Sequence, residues 1–200
     1  MRLDARAALQ CHEYLHKSFA PACFDLSERA PESEMMRELK RQGDLHEART
    51  IENLLTKGLD ILVINKDQGE IEKELTTAEA LINSTAQIII GAWISSVCEE
   101  KIAELTGRAT ANDPDRVSRP DLLIRVGEGA DGKPRWAPVD IKSHDPINEN
   151  KSSKLYLAKW DSFLPTDGVE TVARLDLDDA AQLAHYYEHL RTLGLATDEG

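Results

Sequence analysis

The chain has 200 residues, 41% of them apolar, and a formal net charge of −12 at pH 7. This length and composition favour one globular domain over residues 1–200, with a sizeable core. No apolar run is long enough to cross a membrane, and no basic-then-apolar signal follows Met1. We therefore expect a soluble cytoplasmic protein that does not bind membranes.

The cysteines exclude two further classes. Cys11, Cys23 and Cys98 are odd in number, widely spaced and without a CxxC pair. This pattern argues against a disulfide framework and against a structural zinc site. We expect buried or idle thiols.

The acidic charge disfavours a polyanionic partner, because like charges repel over the whole surface. Acidic residues are concentrated in segments predicted as solvated helix, such as Glu28 to Glu38 and Glu70 to Glu79. Basic residues gather later in the chain, at Lys142, Lys151, Lys154, Lys159 and Arg174. This basic rim, with a bound divalent metal, would still hold a phosphate backbone weakly and with strong dependence on salt.

The first part of the chain, residues 1–58, is predicted to be helical. Leu3 to Phe19 has apolar residues at helical spacing and ends before Pro21. A longer helix follows from Ser33 to Leu55, with one stripe formed by Leu39, Gly43, His46, Thr50 and Asn53. Glycine inside a helix costs about 1 kcal/mol relative to alanine, so we expect a packing reason for Gly43.

The middle of the chain alternates strands and helices. Asp60 to Ile64 is predicted as a short strand and Glu70 to Asn83 as a helix. Ala86 to Ile94 is nearly all apolar, which is typical of a strand buried on both faces. Gly91 inside it indicates a bulge or a close backbone contact. Ser95 to Leu105 is predicted as a short helix.

The next segment predicts a hairpin with a long loop. Leu122 to Val126 and Val139 to Lys142 have strand character, and Gly127 to Pro138 between them is rich in turn residues. Side chains alternate across a strand, so Leu122, Ile124 and Val126 are expected on one face.

Alternation in the same hairpin also predicts a polar cluster. Asp121 points away from the face of Leu122, and Asp140 and Lys142 point away from that of Val139 and Ile141. Pairing the two strands would bring two carboxylates and one ammonium to the edge of the sheet. The alternative is a surface ion pair between Asp140 and Lys142.

The last part of the chain holds an insertion and a closing helix. The insertion, around residues 144–175, contains Tyr156, Trp160 and Phe163 among basic residues. Its aromatic residues either stack on bases or fix a surface insertion to the core. Asp179 to Leu193 is predicted as a helix that ends at Gly194. Gln182 and Tyr186 are four apart and share a face of it.

The predicted cluster suits one kind of chemistry. Hydrolysis of a phosphodiester needs its negative charge neutralised and a hydroxide supplied at neutral pH, and a bound Mg²⁺ or Mn²⁺ does both. Carboxylates and carbonyls are hard oxygen ligands for such ions, and an imidazole shifts preference toward Mn²⁺. Lys142 beside the cation would have a lowered pKa and would orient or deprotonate water.

Four motifs together resemble a known family. The order GxxH, an isolated strand Asp, DxK and QxxxY is similar to the RecB-type branch of the PD-(D/E)XK nuclease superfamily, in particular to predicted RecB-family nucleases sometimes coupled to a ribonuclease H-like domain. The residues are Gly43 and His46, Asp121, Asp140 and Lys142, then Gln182 and Tyr186. The resemblance runs from Cys11 to the closing helix and implies an α/β, restriction-endonuclease-like core.

The resemblance also implies roles for individual residues. His46, Asp121, Asp140 and the main-chain carbonyl of Ile141 resemble the divalent-metal ligands, and Lys142 resembles the catalytic lysine. Gln182 and Tyr186 match a helix that touches DNA.

The chain departs from the family pattern in two places. The stretch from Ser143 to Ala181 is longer than usual. Members with an iron–sulfur cluster use one early and three late cysteines, and because Cys98 is the last one here we expect no cluster within this chain.

The function expected from the sequence is metal-dependent DNA hydrolysis, exonuclease-like, in DNA repair or recombination. It would act on single strands or ends, with a helicase or a second domain as a partner. A catalytically silent nuclease-fold module that binds DNA or a protein is the alternative, and a nuclease for RNA shares the same site. The position of Gly200, soon after the closing helix, allows the chain to be a fragment of a longer protein.

Overall fold

The computed structural model describes residues 32–109, 116–143, 154–155, 171–172 and 177–197. Within these ranges the protein is an α/β structure, in which helices flank a four-stranded mixed sheet. The helix predicted at Leu3 to Phe19 and the thiols of Cys11 and Cys23 lie outside these ranges. So do the aromatic side chains predicted to stack on bases.

The described helices agree closely with the periodicity of the sequence. They are α1 (Glu34–Leu55), α2 (Glu70–Asn83), α3 (Ser96–Thr106) and α4 (Leu177–Thr192). The side chain of Ser33 caps α1 by accepting a hydrogen bond from the Met36 amide, as a serine at a helix start favours. None of these helices combines the length and the apolar character needed to cross a membrane.

The strands of the main sheet are β1 (Ile61–Val63), β2 (Ile88–Ile90), β3 (Leu122–Glu128) and β4 (Pro134–Val139). They lie in sequence order, with β1 parallel to β2 and the other two pairs antiparallel. A separate pair, β5 (Lys154–Leu155) and β6 (Thr171–Val172), lies within the predicted insertion.

Strand β2 is shorter than its apolar run predicts. The strand stops at Ile90 because Gly91 adopts a φ of +73°, a conformation that side chains with a Cβ rarely take. A Cβ at Gly91 would lie 3.6 Å from the carbonyl oxygen of Ile64, an ordinary van der Waals distance, so the positive φ rather than crowding favours glycine here. The single strand predicted from Ala86 to Ile94 is therefore wrong, because the backbone turns at Gly91.

The sheet is buried on both faces. Leu122, Ile88 and Ile90 pack with Leu54 of α1 on one face. Leu123 and Ile89 face the other core, formed with residues of α2, α3 and the end of α4. The prediction of one apolar face for β3 is thus partly wrong, because Leu123 is fully buried and Val126 is 46% exposed. Val126 lies where the register with β4 shifts, between Arg125 and Gly127.

One side of α1 meets the sheet, and it is not the predicted stripe. Ile51 and Leu54 pack against the smaller core, and Glu47 precedes them at helical spacing. The stripe through His46 is largely exposed, with Leu39 50% accessible. Gly43 has no packing reason within the described residues, since an added Cβ would meet no heavy atom within 4 Å.

The larger core contains buried polar groups. The His189 ring on α4 bonds the Ser118 hydroxyl through Nδ1 at 2.8 Å and the Glu99 carboxyl through Nε2 at 2.7 Å. The three residues are at most 3% exposed, so Ser118 is not accessible as a nucleophile. Cys98 beside Glu99 is also buried, which confirms the expectation for this thiol, and burial raises its pKa.

This buried network predicts a large effect on stability. His189→Ala should lower the free energy of unfolding by about 3–5 kcal/mol, because it leaves the buried Glu99 carboxyl without its partner. Urea denaturation followed by circular dichroism measures the change. Arg191→Ala on the same helix breaks an exposed pair with Glu188 and should lower the free energy of unfolding far less, because solvent screens exposed ion pairs. Equal midpoints for the two variants would contradict the structural role of the network.

Candidate active site

The register of the hairpin sets two aspartates opposite each other. Leu122 pairs with Val139, so the next residues outward are Asp121 and Asp140. Directly opposed residues in an antiparallel pair have Cβ atoms about 4.5–5.5 Å apart. The Oδ2 atom of Asp121 accepts a hydrogen bond of 2.6 Å from the amide of Ile141, which fixes the end of the hairpin.

Lys142 lies beside this pair. Its Nζ forms an ion pair with Oδ2 of Asp140, lies 3.3 Å from Oδ1 of Asp179, and donates to Oε1 of Gln182 at 3.0 Å. The Asp140 side chain is only 5% exposed, and the Lys142 side chain is 30% exposed. Beyond this ion pair, Oδ2 of Asp140 accepts no hydrogen bond from the described residues.

Helix α4 supplies the polar side chains that meet this cluster. The Gln182 amide nitrogen donates to the Tyr186 hydroxyl at 2.8 Å and to Oδ1 of Asp140 at 3.4 Å. Asp179 lies three residues before Gln182, which places it on the same face of the helix. Sequence reasoning missed Asp179 as a site residue, although its spacing to Gln182 and Tyr186 is a readable signal.

Burial and charge shift the pKa values of the cluster. Burial, together with the negative charge of Asp140, raises the pKa of Asp121 to about 7 against the opposing hydrogen bond from Ile141. Burial by itself would lower the pKa of Lys142, but the hydrogen bonds and charges of Asp140 and Asp179 outweigh it and raise that pKa. The lowering expected for the pKa of Lys142 concerns the protein with a bound cation, and it stays a prediction.

The residue of α1 that shares a cavity with Asp121 is Glu47, not His46. Glu47 lines this cavity, and its charge contributes to the raised pKa of Asp121. His46 is exposed on α1, and neighbouring residues of a helix point about 100° apart. Glu47 lies on the same side of α1 as Ile51 and Leu54, which pack against the sheet. The stripe predicted from the sequence runs through His46 instead, and for that reason Glu47 was missed.

The donors at the hairpin end fit a hard divalent cation in their chemistry. Asp121, Asp140 and the carbonyl of Ile141 are oxygen ligands of the kind that Mg²⁺ and Mn²⁺ prefer. A cation would also relieve the repulsion that raises the pKa of Asp121. Among the described residues, no three His, Cys, Asp or Glu side chains form a group that could hold a metal ion. A third side-chain ligand from α1, whether His46 or Glu47, therefore stays a prediction.

Comparisons of the chain with models of protein families, with curated proteins and with solved structures find no match.

The pKa of Asp121 predicts a dependence of stability on pH. Its value of about 7 exceeds the ordinary 3.8, so the folded protein binds this proton more tightly and loses stability as pH rises from about 4 to 7. Asp121→Asn removes that loss and should raise the Tm in EDTA at pH 8 by about 2–4 °C for each kcal/mol recovered. The gain should vanish near pH 4.

Asp131→Asn is the matched control for this experiment. Although burial acts to raise the pKa of Asp131, hydrogen bonds from Lys133 and Arg135 lower it overall. The control should therefore be no more stable than the wild type at pH 8. A Tm of Asp121→Asn that equals the wild-type value at every pH would show that burial and the charge of Asp140 do not raise the pKa of Asp121 in the folded protein.

Proposed function

We propose that this protein is a metal-dependent nuclease that hydrolyses phosphodiester bonds of DNA, with a restriction-endonuclease-like core of the RecB type. The observation that carries the proposal is the opposition of Asp121 and Asp140 at the hairpin end, with Lys142 in contact with Asp140. This is the residue set that the resemblance implies for such a site. The mixed sheet flanked by helices is compatible with that core.

Two carboxylates and one carbonyl would hold the metal. Asp121 and Asp140 supply charge to bind it, and the carbonyl of Ile141 supplies a neutral oxygen. When bound, Mg²⁺ or Mn²⁺ supplies a Lewis acid and lowers the pKa of its water. We favour Glu47 over His46 as the contribution of α1, because Glu47 shares a cavity with Asp121.

Lys142 would act through its positive charge. Asp179 and Gln182 hold its ammonium group in place, so it can donate hydrogen bonds to the phosphate oxygens as charge develops on them. Water attacks phosphorus, the bond to the leaving oxygen breaks, and that oxygen takes a proton. Lys142 would thus orient the attacked phosphate and stabilise its charge.

Gln182 and Tyr186 would position the cluster. Gln182 accepts from Lys142 and donates toward Asp140, so it sets their relative orientation. The Tyr186 hydroxyl accepts from Gln182, which leaves its own proton for a phosphate oxygen. Replacing either residue is expected to weaken turnover more than folding.

Lys142→Ala separates chemistry from binding. It removes the ammonium but no proposed ligand, so Mn²⁺ binding should persist while cleavage falls by about a hundredfold or more. The assay uses labelled linear and circular DNA, single- and double-stranded, with Mg²⁺, Mn²⁺ or EDTA. Lys133→Ala, at the other end of the hairpin, makes the same change of charge and should cleave normally.

The outcomes of that assay are distinct. Equal cleavage by wild type and Lys142→Ala would assign the activity to a contaminant or to another site. DNA binding without cleavage in any metal would favour the silent module. Faster cleavage of RNA than of DNA would change the substrate and keep the site.

A second pair of variants decides which residue of α1 serves the metal. Glu47→Ala should weaken Mn²⁺ binding by about tenfold, equal to 1.4 kcal/mol, whereas His46→Ala should leave it unchanged. Asp140→Ala should abolish it, since it removes one of the two opposed carboxylate ligands. Calorimetric titration measures all three. The reverse order for His46 and Glu47 would support the ligand that the resemblance implies.

A further inference from the structure

A cavity of about 210 Å³ adjoins the proposed cleavage site. Its charged and aromatic lining consists of Lys66, Lys73, Arg119, Trp93, Glu47 and Asp121. Cations outnumber carboxylates in this lining, although the chain as a whole has a net charge of −12. The cavity is therefore a local exception to the electrostatics of the protein.

Two of these cations lie over the ring of Trp93. The Arg119 guanidinium lies 3.6 Å from the centroid of the ring, and the ammonium of Lys73 lies 5.8 Å from it. A guanidinium stacked on a ring keeps its N–H groups in its own plane, where they can donate to an anion. The Nζ of Lys66 lies 3.6 Å from Oε1 of Glu47 and forms an ion pair with it. Within the described part of the chain, Arg119 and Lys73 form no such pair.

The ring of Trp93 is fixed in place through its backbone. The amide of Trp93 donates to the Thr77 hydroxyl at 3.0 Å, which ties this residue to α2. The fold therefore sets the position of the ring over which Arg119 and Lys73 lie.

We propose that this cavity binds the terminal phosphate of a nucleic-acid strand. The inference rests on the proposed function and names the end of the substrate that the site takes. A phosphomonoester carries about −1.5 to −2 at pH 7, more than an internal diester, and suits several converging cations. Arg119 can bind its oxygens with two parallel N–H bonds.

The size of the cavity supports a phosphate rather than a larger group. Pockets for whole organic ligands measure about 300–1,000 Å³, and this cavity is smaller. Asp121 lines the cavity and also belongs to the opposed carboxylates. A strand end held here would therefore place a nearby phosphodiester at Asp121 and Asp140, and short products would be released from that end.

Binding can be measured apart from cleavage. Fluorescence anisotropy in EDTA compares one oligonucleotide with a 5′-phosphate, with a 3′-phosphate, or with hydroxyl groups at both ends. The wild type should bind one phosphorylated form about tenfold more tightly than the hydroxyl form. The form preferred identifies the end that is held. Equal affinity for all three forms would overturn the proposal and would indicate contact with internal phosphates alone.

Variants test the named contacts. Arg119→Ala and Lys73→Ala should each reduce the tenfold preference to about twofold or less, whereas Lys133→Ala should retain it. Trp93→Ala removes the ring over which Arg119 and Lys73 lie, so it should reduce the preference severalfold. Should Arg119→Ala unfold, Arg119→Lys keeps the charge without the planar group and should show an intermediate preference. Full preference in every variant of Arg119, Lys73 and Trp93 would reject the cavity as the phosphate site.

The same oligonucleotides with Mn²⁺ separate this inference from the proposed function. Cleavage without any end preference would overturn the phosphate site and keep the nuclease. An end preference without cleavage would keep the phosphate site and reject hydrolysis.

Discussion

The pairing of β3 with β4 forces Asp121 and Asp140 into direct opposition, and much of the nearby structure compensates for it. Like charges facing each other across an antiparallel pair are destabilising. The Ile141 amide bonds one carboxylate, and Lys142 with Gln182 contacts the other. A fold that keeps such a pair at the end of a hairpin carries a local cost, which is common where function requires a strained group.

Helix α4 connects this end of the sheet to the interior. Gln182, Tyr186 and His189 lie at helical spacing on one face of α4. The start of this face contacts the polar cluster, and its end packs into the larger core. His189 bonds Ser118, three residues before Asp121, and Glu99 on α3. The buried network therefore holds both the helix and the segment leading into β3, and it keeps the site residues in one arrangement.

Local signals predicted much of this architecture. Periodicity gave α2 with its observed bounds, and alternation gave the inward side chains of Val139 and Ile141. The hairpin itself was predicted, but its long loop from Gly127 to Pro138 and its second strand from Val139 to Lys142 are wrong, because β3 continues to Glu128 and β4 is Pro134–Val139. Contacts between residues that are far apart in the sequence had no such local signal. Ser118 and Glu99 reach His189 across 71 and 90 residues, and the cavity beside Asp121 joins α2, α1 and the ends of β2 and β3. Glu47 was readable, but the more polar stripe through His46 was followed instead.

Helix α1 is attached to the rest of the protein in an uneven way. Among the described residues, Leu54 is the buried residue of α1, and the helix is exposed over its first turns. Elements with few buried contacts open at a lower free energy than the core, so the early turns of α1 should exchange amide hydrogens faster than α4. Because Glu47 lies between those turns and the anchored end, a ligand held by Glu47 would be linked to the order of the helix. Ligand binding at the site and the ordering of α1 would then be thermodynamically coupled.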